Sequence, residues 1–401
     1  MDFDIAPEDD PRRLEIRGWL KQHPKPTARE LLDSGYEVPH WPPPYGLSAN
    51  AELQLIVDEE LDRAGVRRFG HLVAQNNCAP SLLTHGTAEA KARYLEKGLM
   101  GEELWCQLFS EPSGGSDLAA LRTTAVRDGD HYIINGQKIW TSLANHAHLG
   151  CIVARTDPHA AKHAGLSMFI VELKNNPGVT VNPIEDMTGY ENEFNEVFFD
   201  NVRVPATNRL GEEGDGWRLS MQMLGSERVH MGKPGAVWGY GPTARDLIDG
   251  LNSIGKLRDV GVAEEAAKLY IEGEMIRLLN YRRLSDQVNA KRPGPESAVA
   301  KMLAAPHGQK LLDLAKRVHG QAGLIAGEAQ FAEPTAESKE MGGRGSWDVG
   351  FWFSPAITLG VGTQEVLKNV VGERLLGLPR ELDPSAKGDW SENLKSRDKA
   401  A

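Results

Sequence analysis

Residues 131–142 of the chain read HYIINGQKIWTS, and this stretch decides the fold class. Aromatic and β-branched residues lie on both sides of Asn135-Gly136, as is typical of paired β-strands. An Asn-Gly dipeptide supplies the positive φ angles that a two-residue hairpin turn needs. We therefore predict a β-hairpin that turns at Asn135-Gly136.

Further strand candidates surround this hairpin between Trp105 and Val204. Connections rich in Gly, Asn, Asp and Pro separate them, as expected of turns. The candidates are Gly150–Ala154, Leu166–Leu173, Val179–Pro183 and Glu196–Phe199. No repeated helix fits between them, so the pattern favours an antiparallel sheet or barrel over βαβ units.

Helical patterns flank the β segment on both sides. Those before it are Arg12–Gln22, Asn50–Ala64 and Thr87–Leu99, where Thr87 is a predicted N-cap. From Gly216 onward, apolar residues again recur at three- and four-residue multiples. Residues 327–350 are rich in Gly and polar residues and are predicted to be a loop. The polar tail after Leu382 is predicted to fray.

Composition excludes several classes of protein. The 401 residues predict two or three packed units, and 40% hydrophobic with 25% charged residues excludes global disorder. The net charge of −11 argues against a general nucleic-acid binder, although it has no bearing on small anionic ligands. No apolar run is long enough to span a bilayer, and the acidic start lacks a secretory apolar core.

The chain has three cysteines, Cys78, Cys106 and Cys151. Their odd number and wide spacing fit a reducing compartment better than a disulfide framework or a zinc site. We therefore expect a cytoplasmic protein. His146-Ala147-His148 has no third ligand nearby, so a solvent-facing pair is favoured over a metal site. Gly211–Gly216 is glycine-rich but precedes no βαβ unit, so a turn is the better interpretation.

Two segments of the β region could approach a planar or phosphorylated ligand. In 104–117, LWCQLFSEPSGGSD, a turn of small residues offers hydroxyls and backbone N–H groups; an ordinary Pro-Gly-Ser turn is the alternative. In 136–142, GQKIWTS, Trp140 is followed by two hydroxyl residues, which suit an aromatic wall with hydrogen bonds. A buried strand tryptophan is the alternative there.

Two helical segments could carry further chemistry. Glu227-Arg228 lies among apolar residues, where a carboxylate would have a raised pKa and could act as a base. A solvated ion pair is the alternative. Gly360–Glu365 opens the last predicted helix, and glycines with a Thr at a helix start suit an anion or polar cofactor. A simple N-cap by Thr363 is the alternative.

The order of these motifs resembles the acyl-CoA dehydrogenase family over roughly Pro39 to Glu381. The matching motifs, in chain order, are SEPSGGSD (110–117), GQKIWTS (136–142), FNEVFFDNVRVP (194–205), GDGW (214–217), Glu227-Arg228, GTQEV (362–366) and ERLLGLPR (373–380). Residues 372–381 are similar to a bacterial branch often found in fatty-acid or sterol catabolism.

The resemblance implies an α+β fold with three domains: an N-terminal helical domain, a middle antiparallel β-barrel and a C-terminal four-helix bundle. We assign these to residues 1–103, 104–207 and 208–384, followed by a polar tail at 385–401. It also implies non-covalent FAD at a subunit interface within a dimer or tetramer.

The resemblance also implies roles for particular residues. The positions that match flavin contacts are Ser110, Ser116, Trp140, Thr141, Ser142, Gly362, Thr363 and Glu365. Ser142 matches the hydroxyl that faces flavin N5. Ser116 and Arg228 match positions that contact the acyl-CoA substrate.

Members of the family place the catalytic base at one of two positions. At the first, the Glu of a Tyr-Glu-Gly-Thr stretch, this chain has Val361. The second, used by the isovaleryl-CoA dehydrogenase type, is Glu227. The resemblance thus implies α,β-desaturation of an acyl-CoA with Glu227 as base. The backbone N–H of Val361 would polarise the thioester, and electrons would pass to an electron-transfer flavoprotein.

Several positions depart from the family pattern. No Arg-x-x-Phe-Gly segment stands near Ser253–Asp259, and Arg317 replaces the Gln of Gln-x-x-Gly-Gly-x-Gly. Both belong to the part of the flavin site that a neighbouring subunit completes, so a heterotetramer with a related chain is an alternative to a homo-oligomer. Gly360 replaces a family Tyr, which favours a roomy or branched acyl group. The competing functions are an acyl-CoA oxidase, another flavoenzyme on this scaffold, and a non-catalytic partner subunit.

Overall fold

The structure is a computed structural model. It describes residues 6–70, 77–189, 194–231, 235–237, 239–288, 294, 296–325, 331, 346–383 and 386–400, except for the side chains of 226–231, 283–288, 296–297 and 397–400. Its residue contacts separate into two compact units. One comprises Gly225–Glu381 with Asp186–Tyr190, and the other comprises Asp2–Glu185, Glu191–Leu224 and Leu382–Ala401. The proposed domain boundaries at 103, 207 and 384 stay a prediction.

Within the larger unit, the described residues before the sheet form five α-helices. They are α1 (Pro11–Gln22), α2 (Ala28–Asp33), α3 (Ala51–Ala64), α4 (Ala79–His85) and α5 (Ala88–Leu99). Their starts follow from side-chain caps, because the first N–H groups of a helix lack partners within it. The hydroxyl of Thr87 accepts from the N–H of Ala90, as predicted, and Asn50 caps α3 in the same way.

Eight strands form one sheet in the order β6-β7-β3-β2-β4-β5-β8, with β1 paired to β4. They are β1 (Trp105–Leu108), β2 (Thr124–Asp128), β3 (His131–Ser142), β4 (Leu149–Arg155), β5 (Leu166–Glu172), β6 (Val179–Ile184), β7 (Phe194–Pro205) and β8 (Arg209–Leu210). Most neighbours are antiparallel, as expected. The exceptions are the pairings of β1 and β2 with β4, which are parallel.

The predicted turn at Asn135-Gly136 is wrong. Both residues lie inside β3, where Asn135 pairs with Thr124 of β2 and Gly136 pairs with Phe199 of β7. The two-residue turn is Gly129-Asp130, where Gly129 has φ +62°. Gly136 instead serves an irregularity in the strand. Its φ is +150°, and a Cβ there would lie 2.7 Å from the Cα of Thr123.

The sheet buries both of its faces in the larger unit, since every residue of β4 is buried. One face packs against the N-terminal helices through Cys151, Val153 and Met168, which meet Leu95 and Leu99. The opposite face forms a second cluster around Ile152, Phe169, Tyr132, Ile134 and Val197. Strands buried on both faces lack polar alternation, which explains the continuous apolar run of β4 and β5. Cys78, Cys106 and Cys151 are buried, and none of them forms a disulfide.

Helices dominate the remainder of the described chain. They are α6 (Gly216–Met231), α7 (Ala244–Ser253), α8 (Val260–Val288), α9 (Glu296–Arg317), α10 (Trp347–Leu359), α11 (Gln364–Val370) and α12 (Trp390–Ala400). The loop predicted at 327–350 ends earlier than expected, because Ser346 caps α10 and the helix begins at Trp347. Most of that loop lies outside the described residues. No helix of the described chain is long and apolar enough to cross a bilayer.

The fraying predicted for the C-terminal tail is also wrong. Helix α12 begins at the buried Trp390, which is 1% exposed and has the Arg155 guanidinium 5.0 Å from its ring centroid. The backbone N–H of Trp390 donates to the carbonyl of Ala160, and Asp383 binds the buried Lys162 at 2.9 Å. The polar composition of the tail does not indicate this attachment, because the contacts come largely from a single aromatic ring, Trp390, and a single carboxylate, Asp383.

We expect Trp390→Ala to lower the free energy of unfolding by about 3–5 kcal/mol, because it removes a fully buried aromatic side chain. Urea unfolding followed by circular dichroism measures this change. The control is Leu382→Ala, in the same tail, where the side chain is 89% exposed and we expect a change within about 0.5 kcal/mol. Equal behaviour of the two variants would contradict the docking of the tail.

Candidate active site

A buried ion pair joins residues 110–117 and 136–142, the two motifs of the β region that match flavin-contact positions of the family. Lys138 of β3 is fully buried, and its ammonium donates to Glu111 at 2.8 Å and to the carbonyl of Phe109 at 3.0 Å. Glu111 follows Ser110 in the first motif, while Lys138 precedes Trp140 in the second. The pair therefore fixes the start of the 110–117 turn against β3.

Backbone amides complete the partners of Glu111. The N–H groups of Arg122 and Thr123 donate to its carboxylate at 2.5 and 2.9 Å. Burial raises the pKa of Glu111, but the ammonium of Lys138 and these donors outweigh it, so the net pKa lies below its usual value. Burial also lowers the pKa of Lys138, an effect that Glu111 opposes. One carboxylate at the start of the 110–117 turn thus also binds the backbone at 122–123, after the turn.

The end of β3 presents the Trp140-Thr141-Ser142 segment through a β-bulge. Between the Lys138–Val197 and Thr141–Asn195 pairs, β3 has one residue more than β7. The extra backbone lets the N–H of Ile139 donate to the carbonyl of Ser110 at 2.9 Å. Trp140 has φ +59° and is 58% exposed. Bulges re-aim side chains beside active sites, and this one turns the indole outward.

The Trp140 ring is not the buried strand tryptophan of the alternative interpretation. It contacts Phe194 edge-on, with ring centroids 5.9 Å apart. Ser142 is half-buried and pairs with Phe194 along the sheet, whereas Ser116 lies exposed in the first motif. Ser110 is thus bonded to the end of β3 that carries Trp140, Thr141 and Ser142, and the ion pair and the bulge bring these residues together.

Two buried polar atoms beside Trp140 have no hydrogen-bond partner among the described residues. They are Oγ1 of Thr141 and Oδ1 of Asn195, on side chains exposed by 1% and 0%. The Asn195 amide is held in place by its bond to the Thr141 carbonyl at 3.1 Å. Buried polar atoms normally have partners, so these two fit a polar ligand that binds here. A flavin ring, with carbonyl and N–H groups along one edge, suits such a set.

The helical unit contains a strained turn between α10 and α11. Val361 has φ +59° and Gly362 φ +96°. A β-branched residue in the left-handed region costs about 1–3 kcal/mol and persists only where its surroundings enforce it. Thr363 then caps α11 through the N–H of Val366, and Glu365 lies exposed in the first helical turn. The amide nitrogen of Gln364 is buried with no partner in the described part of the chain.

Lys301 of α9 holds this turn. It is 0% exposed, and its ammonium donates to the carbonyls of Gly360 and Gly362 at 2.5 Å each. Sequence reasoning missed Lys301 as well as the Glu111–Lys138 pair. A lysine inside an otherwise apolar helical run, AVAKMLAA at 298–305, was the available signal for the first. A lysine between the apolar residues of a strand was the signal for the second.

The proposed base lies on α6. Glu227 and Arg228 belong to its last two turns, and their side chains are outside the described residues. Of the histidine pair, His146 is exposed, while His148 accepts from the N–H of Leu104 at 3.0 Å. Within the described ranges, no group of three or more His, Cys, Asp or Glu side chains could hold a metal ion.

Comparison with known proteins agrees with the motif order. Family models for acyl-CoA dehydrogenase match in sequence: the N-terminal domain on residues 7–102, the middle domain on 106–202 and the C-terminal domain on 214–376. IpdE1, an acyl-CoA dehydrogenase of Mycolicibacterium smegmatis, is 34% identical over 378 residues, which cover 92% of this chain and 89% of that protein.

Two further similarities concern paired or longer proteins. Acyl-CoA dehydrogenase FadE34 of Mycobacterium tuberculosis is 38% identical over 350 residues, 87% of this chain but 46% of FadE34, so the chain spans about half of that relative. The solved structure of the Tcur3481-Tcur3483 steroid ACAD superposes with a TM-score of 0.72 at 28% identity. It covers 92% of this chain and 97% of the compared one.

We expect Lys138→Met to lower the free energy of unfolding by about 3–5 kcal/mol, because it leaves the Glu111 carboxylate buried without its ammonium. Thermal and urea unfolding measure this change. Adding Glu111→Gln should restore part of the loss, since the uncompensated charge is then gone. The control, Lys174→Met, removes an exposed lysine after β5 and should change stability little. A Lys138→Met protein as stable as the control would contradict the role of the pair.

Proposed function

The chain belongs to the acyl-CoA dehydrogenase family, and on this premise we propose that it is an FAD-dependent enzyme that desaturates an acyl-CoA thioester between Cα and Cβ. The observation that carries the proposal is the Val361 turn. A β-branched residue is kept in the left-handed region at the position where the family resemblance puts a backbone donor to the thioester. Strain of this kind is typical of sites where geometry matters more than stability.

Glu227 is the proposed catalytic base. The other position that the family uses is Val361, which has no group that could accept a proton. Glu227 would remove the α proton of the thioester. Since that carbon is a weak acid, negative charge develops on the thioester oxygen as the proton leaves. The N–H of Val361 would donate to this oxygen, as donors of an oxyanion hole do. Arg228 and Ser116 are the proposed substrate contacts.

The end of β3 around Trp140 is the proposed flavin site. Thr141 and Asn195 offer buried polar atoms, Trp140 an exposed aromatic face, and Ser142 the hydroxyl proposed to meet the reactive edge of the ring. When bound, FAD supplies the acceptor for the hydride that leaves Cβ. Ser110, Gly362, Thr363 and Glu365 are the remaining proposed cofactor contacts. The Glu111–Lys138 pair would keep the two motifs at a constant separation.

We propose that the protein works as an oligomer, with a related acyl-CoA dehydrogenase chain as the favoured partner. In the helical unit, α8 exposes Ile271, Met275 and Leu278 along one face at helical spacing. Arg317, which replaces the family's glutamine, is held by Asp313 at 2.6 Å and Glu265 at 2.5 Å within its own unit. An arginine held in ion pairs within its own unit does not suit contact with a neighbour's flavin. Residues Ser253–Asp259, which lack the family's Arg-x-x-Phe-Gly segment, do not suit it either. The two-chain Tcur3481-Tcur3483 enzyme and the double length of FadE34 support a paired arrangement.

The proposed substrate has a bulky acyl group. Gly360 leaves space where many members carry a tyrosine. A steroid side-chain thioester is the favoured class, because the Tcur3481-Tcur3483 enzyme is a steroid ACAD. The proposed electron acceptor is an electron-transfer flavoprotein. The second candidate function, an acyl-CoA oxidase, uses the same residues and differs in the reaction with oxygen.

We expect Glu227→Gln to retain bound FAD and to slow flavin reduction by acyl-CoA about 10²–10⁴-fold, the usual contribution of a general base. Anaerobic stopped-flow measurement of flavin bleaching checks this. Glu264→Gln, on an exposed face of α8, serves as the control and should reduce flavin at the wild-type rate. Bleaching at a near-normal rate in Glu227→Gln would rule out this residue as the base.

We expect the flavin to be bleached fastest by a steroid side-chain CoA thioester. The thioesters compared with it in the same panel are butanoyl-, isovaleryl-, octanoyl- and palmitoyl-CoA. The enzyme reduced in this way should be reoxidised slowly by oxygen and rapidly by an electron-transfer flavoprotein. Fast reoxidation by oxygen would favour the oxidase. A folded protein that binds FAD but is bleached by no member of the panel would contradict the proposed reaction.

We expect Met275→Lys to weaken association at least about 10-fold, because it would bury an unpaired charge in the interface. Light scattering after size exclusion, with the chain purified alone and co-expressed with a related chain, measures the assembly. Lys268→Met, on the exposed polar part of α8, is the control. A wild-type chain that stays monomeric with FAD bound would contradict the oligomer. A colourless, folded protein when purified alone would favour dependence on the partner.

A further inference from the structure

A buried cation and a strained turn meet in the helical unit. The ammonium of Lys301 is fully shielded from water and binds the carbonyl oxygens on both sides of Val361, those of Gly360 and Gly362. Helix α9 is also bound to α10 itself, since the Gln309 amide donates to the carbonyl of Ser354 at 2.9 Å. The turn is therefore attached to α9 at fixed points.

Because the peptide bond is planar, these contacts also set the directions in which two backbone N–H groups point. In a trans peptide, the C=O of one residue and the N–H of the next point in opposite directions. Binding of the Gly360 carbonyl by Lys301 thus turns the Val361 N–H away from the ammonium. The Gly362 carbonyl likewise fixes the N–H of Thr363. A cation on the carbonyl oxygen also polarises the peptide and strengthens its N–H as a donor.

Stability alone does not favour a lysine here. Burial of an ammonium carries a desolvation penalty, and an apolar side chain of similar volume is often as stable or more so. The turn that the lysine holds is strained as well, with Val361 at φ +59°. Two unfavourable features in direct contact point to a requirement for geometry rather than for packing.

We propose that Lys301 is a positioning residue that aims the N–H of Val361 at the thioester oxygen of the substrate. The inference rests on the proposed dehydrogenation. Lys301 touches neither substrate nor reacting atoms, and it acts through the Gly360-Val361 peptide. As charge develops on the thioester oxygen, a donor whose direction is already set needs no reorganisation. Loss of the lysine should therefore affect the chemical step more than substrate binding.

The test compares Lys301→Met, which keeps the length of the side chain, with Lys301→Arg, which keeps charge and donors. Lys310→Met is the matched control, because it removes an exposed lysine of the same helix that binds Glu272. Amide hydrogen exchange of peptides that cover residues 360–367 reports the turn without any substrate. Flavin reduction by the fastest thioester of the panel above, steroid side-chain CoA or otherwise, reports kcat and KM.

We expect Lys301→Met to speed exchange in 360–367 at least about 10-fold and to lower kcat about 10²-fold, with KM changed less than about threefold. Lys301→Arg should recover part of both, and Lys310→Met should change neither. Unaltered exchange in Lys301→Met would overturn the proposal, as would faster exchange with a normal kcat. If no acyl-CoA bleaches the wild-type flavin, the proposed function fails and the catalytic role of Lys301 with it. In that case, faster exchange would still identify the lysine as the restraint on the turn.

Discussion

The site at the end of β3 depends on the contacts that the ammonium of Lys138 makes. The ammonium binds Glu111, whose carboxylate also accepts from the amides of Arg122 and Thr123, so one charge pair closes the 110–117 turn onto β3. A buried pair of this kind contributes little net stability when compared with apolar residues. Its value lies in direction, because a charged donor and a charged acceptor admit few alternative arrangements. The bulge that exposes Trp140 begins immediately after this lysine.

The same device recurs in the helical unit with a different partner. Lys301 binds backbone carbonyls, and it holds the turn at Val361 in a conformation that the residue itself disfavours. In both units, a buried ammonium attaches an irregular segment to a regular element, a strand in one case and a helix in the other. Regular elements are rigid, so the attached segments become rigid as well.

Sequence patterns predicted the elements better than the connections. The N-cap predicted at Thr87 depends on neighbours within one helical turn, and it is confirmed. The Asn135-Gly136 turn was wrong because the same positive φ that suits a hairpin also suits an irregular strand, and only the pairing with β7 decides between them. Trp390 was missed because its partners, Arg155 and Ala160, lie more than two hundred residues earlier. Glu111, Lys138 and Lys301 were missed for the same reason: a contact between segments that are distant in sequence leaves no periodicity.

In the proposed reaction, proton removal needs a side chain, whereas thioester polarisation needs only a peptide N–H. A family position that loses its carboxylate, as Val361 has, can therefore keep the second task if the base lies elsewhere, as proposed for Glu227. Valine nevertheless makes this harder, because its branched Cβ opposes the left-handed backbone that the turn adopts. The restraint must then come from outside the turn, and the ammonium of Lys301 is the described group that binds carbonyls on both sides of the residue. In the proposed reaction, a position that has no catalytic side chain thus depends on the contacts that hold its backbone N–H in place.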